Sequence, residues 1–160
     1  MLRKLLLTGA LLGLLPTVAL AASLTQAGPR IGFSVDPDQI VFGGHLEIGD
    51  VAPKITFNPD LELGFGDHVS VVSLNFNMHY NMKLEDSDWR PYVGAGVGLN
   101  FVEVDLPAPF EDSSETDVGG TLLVGAGIPT HGGNHFFTEL KLGLGDAASL
   151  KLLAGWNFNL

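Results

Sequence analysis

The chain from residue 22 to residue 160 is expected to form an all-β, eight-stranded antiparallel up-and-down transmembrane β-barrel, and three observations predict it. The final stretch alternates strictly, with Leu150, Leu152, Ala154, Trp156, Phe158 and Leu160 on one side and Lys151, Leu153, Gly155, Asn157 and Asn159 on the other. That is the period of two that a strand imposes and a helix scrambles. Val69 to Leu84 repeats the pattern, with Val72, Leu74, Phe76, Met78, Tyr80, Met82 and Leu84 opposed by Ser73, Asn75, Asn77, His79, Asn81 and Lys83. Third, a last strand with one face in hydrocarbon cannot remain an open edge, because each unpaired N–H and C=O there costs several kcal/mol. It has to close a barrel.

The totals agree with this class. Met1-Leu2-Arg3-Lys4 is a positive start, Leu5 to Leu15 an apolar run, and Ala19-Leu20-Ala21 a small-x-small site, so residues 1–21 are expected to be an export signal cleaved after Ala21 or Ala22. The run is shorter than the ~20 residues of a spanning helix. Residues 22–160 then form one domain. Losing Arg3 and Lys4 takes the formal charge from −10 to −12, which excludes nucleic acid as a partner, since that binding neutralises phosphates with Lys and Arg. The chain has no cysteine, so neither a disulfide framework nor thiolate metal sites can stabilise it. A hydrophobic content of 46% with 21 glycines and 16% charged residues fits a sheet with one face in lipid.

Seven alternating segments precede the last one. The first is Arg30 to Val35, short and fenced by Pro29 and Pro37, and Asp36-Pro37-Asp38 turns it. The second is Gln39 to Gly49, the third Lys54 to Phe65, the fourth Val69 to Leu84 and the fifth Pro91 to Val104, where Val93, Ala95, Val97, Leu99 and Phe101 oppose Tyr92, Gly94, Gly96, Gly98 and Asn100. One long loop, Asp105 to Thr116, follows. The sixth strand is Asp117 to Ile128 and the seventh His135 to Gly145, with turns at Thr130 to Asn134 and Asp146 to Ser149. Pro59 falls inside the third strand and cannot donate to a ladder, so a bulge or bend is expected there.

The polar face is mostly Asn, Ser, Thr and Gly, where a soluble barrel would carry Lys and Glu toward water. Those residues suit a crowded interior, and eight strands leave only enough room for side chains to fill it. Gly94, Gly96 and Gly98 leave space for larger neighbours such as Tyr92. Buried charges need partners. A lumen network is therefore expected from Arg30, Glu47, Lys54, Glu62, His79, Lys83, Glu139, Lys141 and Lys151, joined by Asp60, leaving the lumen plugged. With the N-terminus in the periplasm, Phe42, Phe65 and Phe101 fall near the outer rim and Tyr80, Trp89, Phe136, Trp156 and Phe158 near the inner one. These are the two aromatic belts of a membrane barrel.

The run Arg90-Pro91-Tyr92-Val93-Gly94-Ala95-Gly96-Val97-Gly98-Leu99-Asn100-Phe101, the segment Glu139 to Leu144 and Lys151 to Phe158 resemble the small outer-membrane β-barrel proteins of the OmpA/OmpX-like and opacity-protein type. The resemblance covers essentially all of residues 22–160 and implies fold and location in the outer membrane. It also implies as partners the membrane lipids and lipopolysaccharide, periplasmic chaperones, and the assembly machinery that recognises a C-terminal strand ending in an aromatic residue. Trp156 and Phe158 match that signal, while Leu160 stands where it has a terminal Phe. Three of the four outer loops are very short, which weakens any inference of adhesion. A monomer is expected.

Other chemistry finds little support. His45, His79 and His135 lie on different strands and His68 and His131 in turns, without metal-ligand spacing; no metal and no cofactor is expected. Glu111 to Asp117 is acidic but lacks the glycine and ligand spacing of a calcium loop. His135 and Ser149 fall at opposite ends of a hairpin, too far apart to activate a nucleophile, and Gly94-x-Gly96-x-Gly98 has no following helix to hold a dinucleotide. The chain is read as a non-enzymatic structural or interaction protein. Its alternatives are a narrow pore or small-ligand conduit, and a secreted soluble lipocalin-like barrel.

Overall fold

The computed structural model describes residues 23–104, 113–145 and 149–160. Eight strands follow one another in chain order: β1 Leu24–Val35, β2 Gln39–Ala52, β3 Ile55–Gly66, β4 Val69–Asn81, β5 Arg90–Val104, β6 Ser113–Pro129, β7 His135–Leu144 and β8 Leu150–Asn159. Each pairs antiparallel with its neighbours, and β1 pairs with β8 to close the barrel. The expected export signal, residues 1–21, lies outside the described residues, as do 105–112 of the long loop and 146–148 of the last turn.

The wall is sorted as period-two alternation requires. Phe33, Val97 and Leu152 point outward, 63%, 57% and 58% exposed, while Ser73, Asn75 and Asn77 are buried inside. Phe42, Phe65 and Phe101 are exposed on the outer surface toward one end, and Tyr80, Trp89, Trp156 and Phe158 toward the other. Phe136 sits edge-on to Trp156 with ring centroids 5.6 Å apart. The apolar surface is thus bounded by aromatic residues at both ends.

Several boundaries differ from expectation. β1 begins at Leu24, six residues earlier than its alternation suggests, and runs through Pro29. On its β8 side the ladder stops at Ala27–Phe158 and resumes at Arg30–Gly155 without a change of register. Pro59 behaves in the same way. β3 keeps one register with β4 throughout, Pro59 facing Phe76, and beside Pro59 its ladder with β2 lapses between His45–Asp60 and Ile48–Phe57 without a change of register, which shifts only nearer the turn, between Ile48 and Ala52. The expected bulge is absent because each proline turns its donorless nitrogen toward one neighbour only, and two skipped positions absorb the loss.

β4 ends at Asn81 rather than Leu84, since its ladder with β3 finishes at Ile55–Tyr80 and with β5 at Asn81–Tyr92. β6 starts at Ser113, four residues early, because Ser113 to Gly119 pair with β5 although β7 reaches only to Gly120. The β6–β7 turn contains Gly132 and Gly133 at φ of 78° and 80°, a conformation that costs glycine least.

Candidate functional site

The lumen is where the sequence collects its unusual chemistry. The inward residues of β1, β3 and β7 carry most of the charge, and the shear of the barrel brings them to one height. Arg30 Nη1 donates to Asp60 Oδ2 at 3.2 Å, Glu62 Oε1 at 3.3 Å and Glu139 Oε1 at 3.4 Å. Lys141 Nζ donates to Asp60 Oδ2 at 3.0 Å and Glu62 Oε1 at 2.7 Å, and Lys151 Nζ to Glu62 Oε2 at 2.8 Å. Three cations thus interlock with three carboxylates. Apart from Lys151, whose side chain is 13% exposed, all are almost completely buried.

Neutral groups complete the ring. Asn75 and Asn77 donate to the two Asp60 oxygens at 2.7 and 2.8 Å, and the Tyr92 hydroxyl donates to Glu139 Oε2 at 2.9 Å. His79 stacks on Tyr92 with centroids 4.6 Å apart and brings Nε2 to 4.0 Å from Glu139. The Arg30 guanidinium carbon lies 5.5 Å from the Phe137 ring centroid. Buried charges are tolerated only where pairing and hydrogen bonds offset their lost hydration. The glycines of β5 serve this ring: a Cβ at Gly96 or Gly98 would collide with the side-chain oxygens of Asn77 and Asn75. Tyr92 does not use that space, since its ring lies over Gly125 of β6.

The residues expected in this network divide into two sets. Arg30, Glu62, Glu139, Lys141 and Lys151 form the cluster and His79 borders it, whereas Glu47 lies nearer the termini and accepts from Thr25 Oγ1 at 3.0 Å. Lys54 and Lys83 stay outside it. Lys54 occupies the β2–β3 turn at φ of 66°, and Lys83 lies beyond Met82, past the end of β4, so neither side chain belongs to an inward-facing ladder position. Asp60 is the acceptor shared by Arg30, Lys141, Asn75 and Asn77, a centrality visible only once β1, β4 and β7 are folded around β3. The lumen also holds Val41, Leu123, Phe137 and Leu153, all buried. Their signal was present, since each occupies an inward parity position, but an apolar residue there breaks the polar pattern.

The cluster separates two unequal spaces. Beyond it, toward the β5–β6 and β7–β8 connections, lies a cavity of about 20 Å³ beside Lys141, Lys151 and Ser149. On the side of the chain termini a vestibule of about 690 Å³ opens outward, walled by His45, Phe137, His135 and Asn157. His135 lines this vestibule, and Ser149 the small cavity beyond the cluster. Among the described residues no three His, Asp or Glu side chains are placed to hold a metal ion, and no helix is long and apolar enough to cross a membrane, which says nothing of strands.

Comparison with known proteins bears on this architecture. Residues 63–137 match a protein family described as "Surface antigen". The structure is similar to the crystal structure of Neisserial surface protein A, with a TM-score of 0.68 and 18% identity over 85% of this chain and 96% of that one. It is similar also to the N-terminal β-barrel domain of Pseudomonas aeruginosa OprF, with a TM-score of 0.68 and 12% identity over 84% and 97%. No curated protein sequence matches. Both solved structures are small eight-stranded outer-membrane barrels, and the fold here is that of a transmembrane barrel of the same kind.

Proposed function

We propose that the protein is an integral, non-enzymatic outer-membrane barrel with a structural or interaction role, whose lumen is closed at mid-height. The observation that carries this is the sorting of the wall, oily side chains outward and ionic ones inward. Burying apolar area in acyl chains contributes ~25 cal/mol per Å², whereas the same surface in water would aggregate. A soluble lipocalin-like barrel needs the reverse arrangement, with its apolar residues lining the interior. Outer-membrane lipids and lipopolysaccharide are the partners this surface suits. The β-barrel assembly machinery and its chaperones would receive the C-terminal strand through Trp156 and Phe158, both exposed on the outer face, with Leu160 after them.

Closure of the lumen rests on the cluster. A permeating ion would have to part contacts of 2.7 to 3.4 Å that bridge β1, β3, β7 and β8. Two measurements test the proposal. Membranes washed with carbonate should retain the protein, and release into the wash would refute membrane integration. In planar bilayers the purified barrel should give no stable single-channel steps. Regular steps would favour the conduit reading.

A further inference from the structure

The wall is not level at the end opposite the chain termini. β5 and β6 stay paired as far as Val104–Ser113, whereas the ladder between β6 and β7 stops at Gly120–Leu144. Gly145, where the β7–β8 turn begins, still lies against Val118 and Gly119. Among the described residues, Ser113 to Asp117 then have a strand on one side only. The groups this edge presents follow from parity. Gly143 donates to the Ser149 carbonyl at 2.7 Å, so odd-numbered residues of β7 bond to β8 and even-numbered ones to β6. Their partners on β6 are even-numbered too, and the register with β5 is unbroken up to Ser113. Ser114 and Thr116 therefore aim N–H and C=O at the open side, while Glu115 and Asp117 bond back to β5. The side chains here have one sign. Glu115 and Asp117 share a face of the edge strand, Asp36, Asp38, Asp67 and Glu103 lie in the turns and strand ends around it, and the described residues of this end include no Lys or Arg beyond the waist. Among the described residues none of these six acids meets a cation within 4.0 Å.

We propose that this edge of β6 is the docking site for an extended, basic segment of a partner protein, which adds a strand to the sheet. Backbone bonds to Ser114 and Thr116 hold the segment in line. Lys or Arg at alternate positions then faces Glu115 and Asp117, and cross-strand pairs of opposite charge stabilise such an addition. The residues between them face Ser114, Thr116 and Val118, which suits Thr or Val. A second copy of this chain is the wrong occupant, because edge-to-edge pairing would set acids against acids, and like charges directly opposite one another repel. The unmet backbone groups also require water, since hydrocarbon would penalise them heavily. The site itself depends only on the fold; that it faces the cell exterior rests on the proposal above.

Titrating the peptide acetyl-Lys-Val-Lys-Thr-Lys-Val-amide into the ¹⁵N-labelled barrel, folded in uncharged detergent micelles, tests the site. Saturable amide shifts are expected at Ser113 to Asp117, and the Ser114 and Thr116 amides, open to hydrogen exchange before the peptide is added, should become protected. N-methylating one alternate set of the peptide's amides should weaken binding at least about tenfold and the other set should leave it nearly unchanged, because a docked strand turns only every second residue toward its neighbour. The acidic counterpart, with Glu in place of each Lys, should bind at least about tenfold more weakly. The double variant Glu115→Gln/Asp117→Asn should weaken the basic peptide by about fivefold, as for two exposed charge contacts. Thr116→Pro should abolish binding, since it removes a donor on the open side and none from the β5 ladder. Heat-modifiable gel mobility establishes that each variant is folded, and if Thr116→Pro is not, the two N-methylated peptides decide. Absence of saturable shifts, equal effects of the two N-methylation patterns, equal affinity for the acidic peptide, unchanged affinity in the double variant, or protection of Ser114 and Thr116 before any peptide is added would each overturn the proposal. Membrane integration is read separately, by carbonate washing.

Discussion

The two halves of the lumen hold equal numbers of charges and treat them oppositely. At the waist, Arg30, Lys141 and Lys151 interlock with Asp60, Glu62 and Glu139. In the vestibule, Lys54, Lys83 and Arg90 stand beside Glu47, Asp50 and Asp88 with no such contact. Strand position makes the difference. Waist residues other than Lys151, which stands near the start of β8, sit mid-strand, where neighbouring strands exclude water and an unpaired charge is severely penalised. Those of the mouth, apart from Glu47 inside β2 with Thr25 as its donor, sit in turns or at strand ends, where hydration replaces a partner and an ion pair adds little. Charge count alone therefore does not reveal a plug; depth along the strand does.

The contrast can be broken hardest at its centre. Lys141→Met should destabilise the barrel by about 3–5 kcal/mol, since it strands Asp60 and Glu62 without a cation that each now has within 3.0 Å. The temperature at which the compact gel band disappears would fall accordingly, and an unchanged value would mean that water already reaches the waist. Closure of the wall is the next target. Gly28→Val places a side chain against the Trp156 carbonyl where β1 meets β8, and overpacking of this kind costs ~1–3 kcal/mol or more. Slower refolding into micelles and a lower urea midpoint are expected.

Tyr92→Phe is a finer cut. It removes the hydroxyl that donates to Glu139 at 2.9 Å and should cost about 1–3 kcal/mol, the penalty of an unmet buried acceptor, read from the urea midpoint. The smallest effect belongs to the mouth. Lys54→Gln and Lys83→Gln should each change stability by no more than about 0.5 kcal/mol. A loss as large as that of Lys141→Met would show the mouth to be part of the plug.

Much of this molecule was legible before folding. The eight alternations, the outward belt and the inward asparagines follow from parity along each strand, which the residues themselves display. The fold class came with them. The start of β1 was hidden because Gly28 and Pro29 interrupt its alternation, and Pro59 suggested a bulge because the sequence does not say which neighbour a proline's nitrogen faces. The site was legible in membership more than in arrangement. Arg30, Glu62, Glu139 and Lys141 read as inward charges seeking partners, but the shear that sets them level with one another is a property of the closed sheet. Lys54 and Lys83 were assigned inward by extending parity past the ends of the ladders, where parity no longer constrains a side chain. The vestibule left no mark in the sequence, because a cavity is defined by what its walls fail to fill.

The neutral waist has one last consequence. Asp60, Glu62 and Glu139 balance Arg30, Lys141 and Lys151 one for one, so the whole excess of negative charge in residues 23–160 is carried by the rims and connections. An electric potential across the bilayer acts on net charge displaced within the hydrocarbon layer, and here it finds almost none. The barrel should be indifferent to voltage.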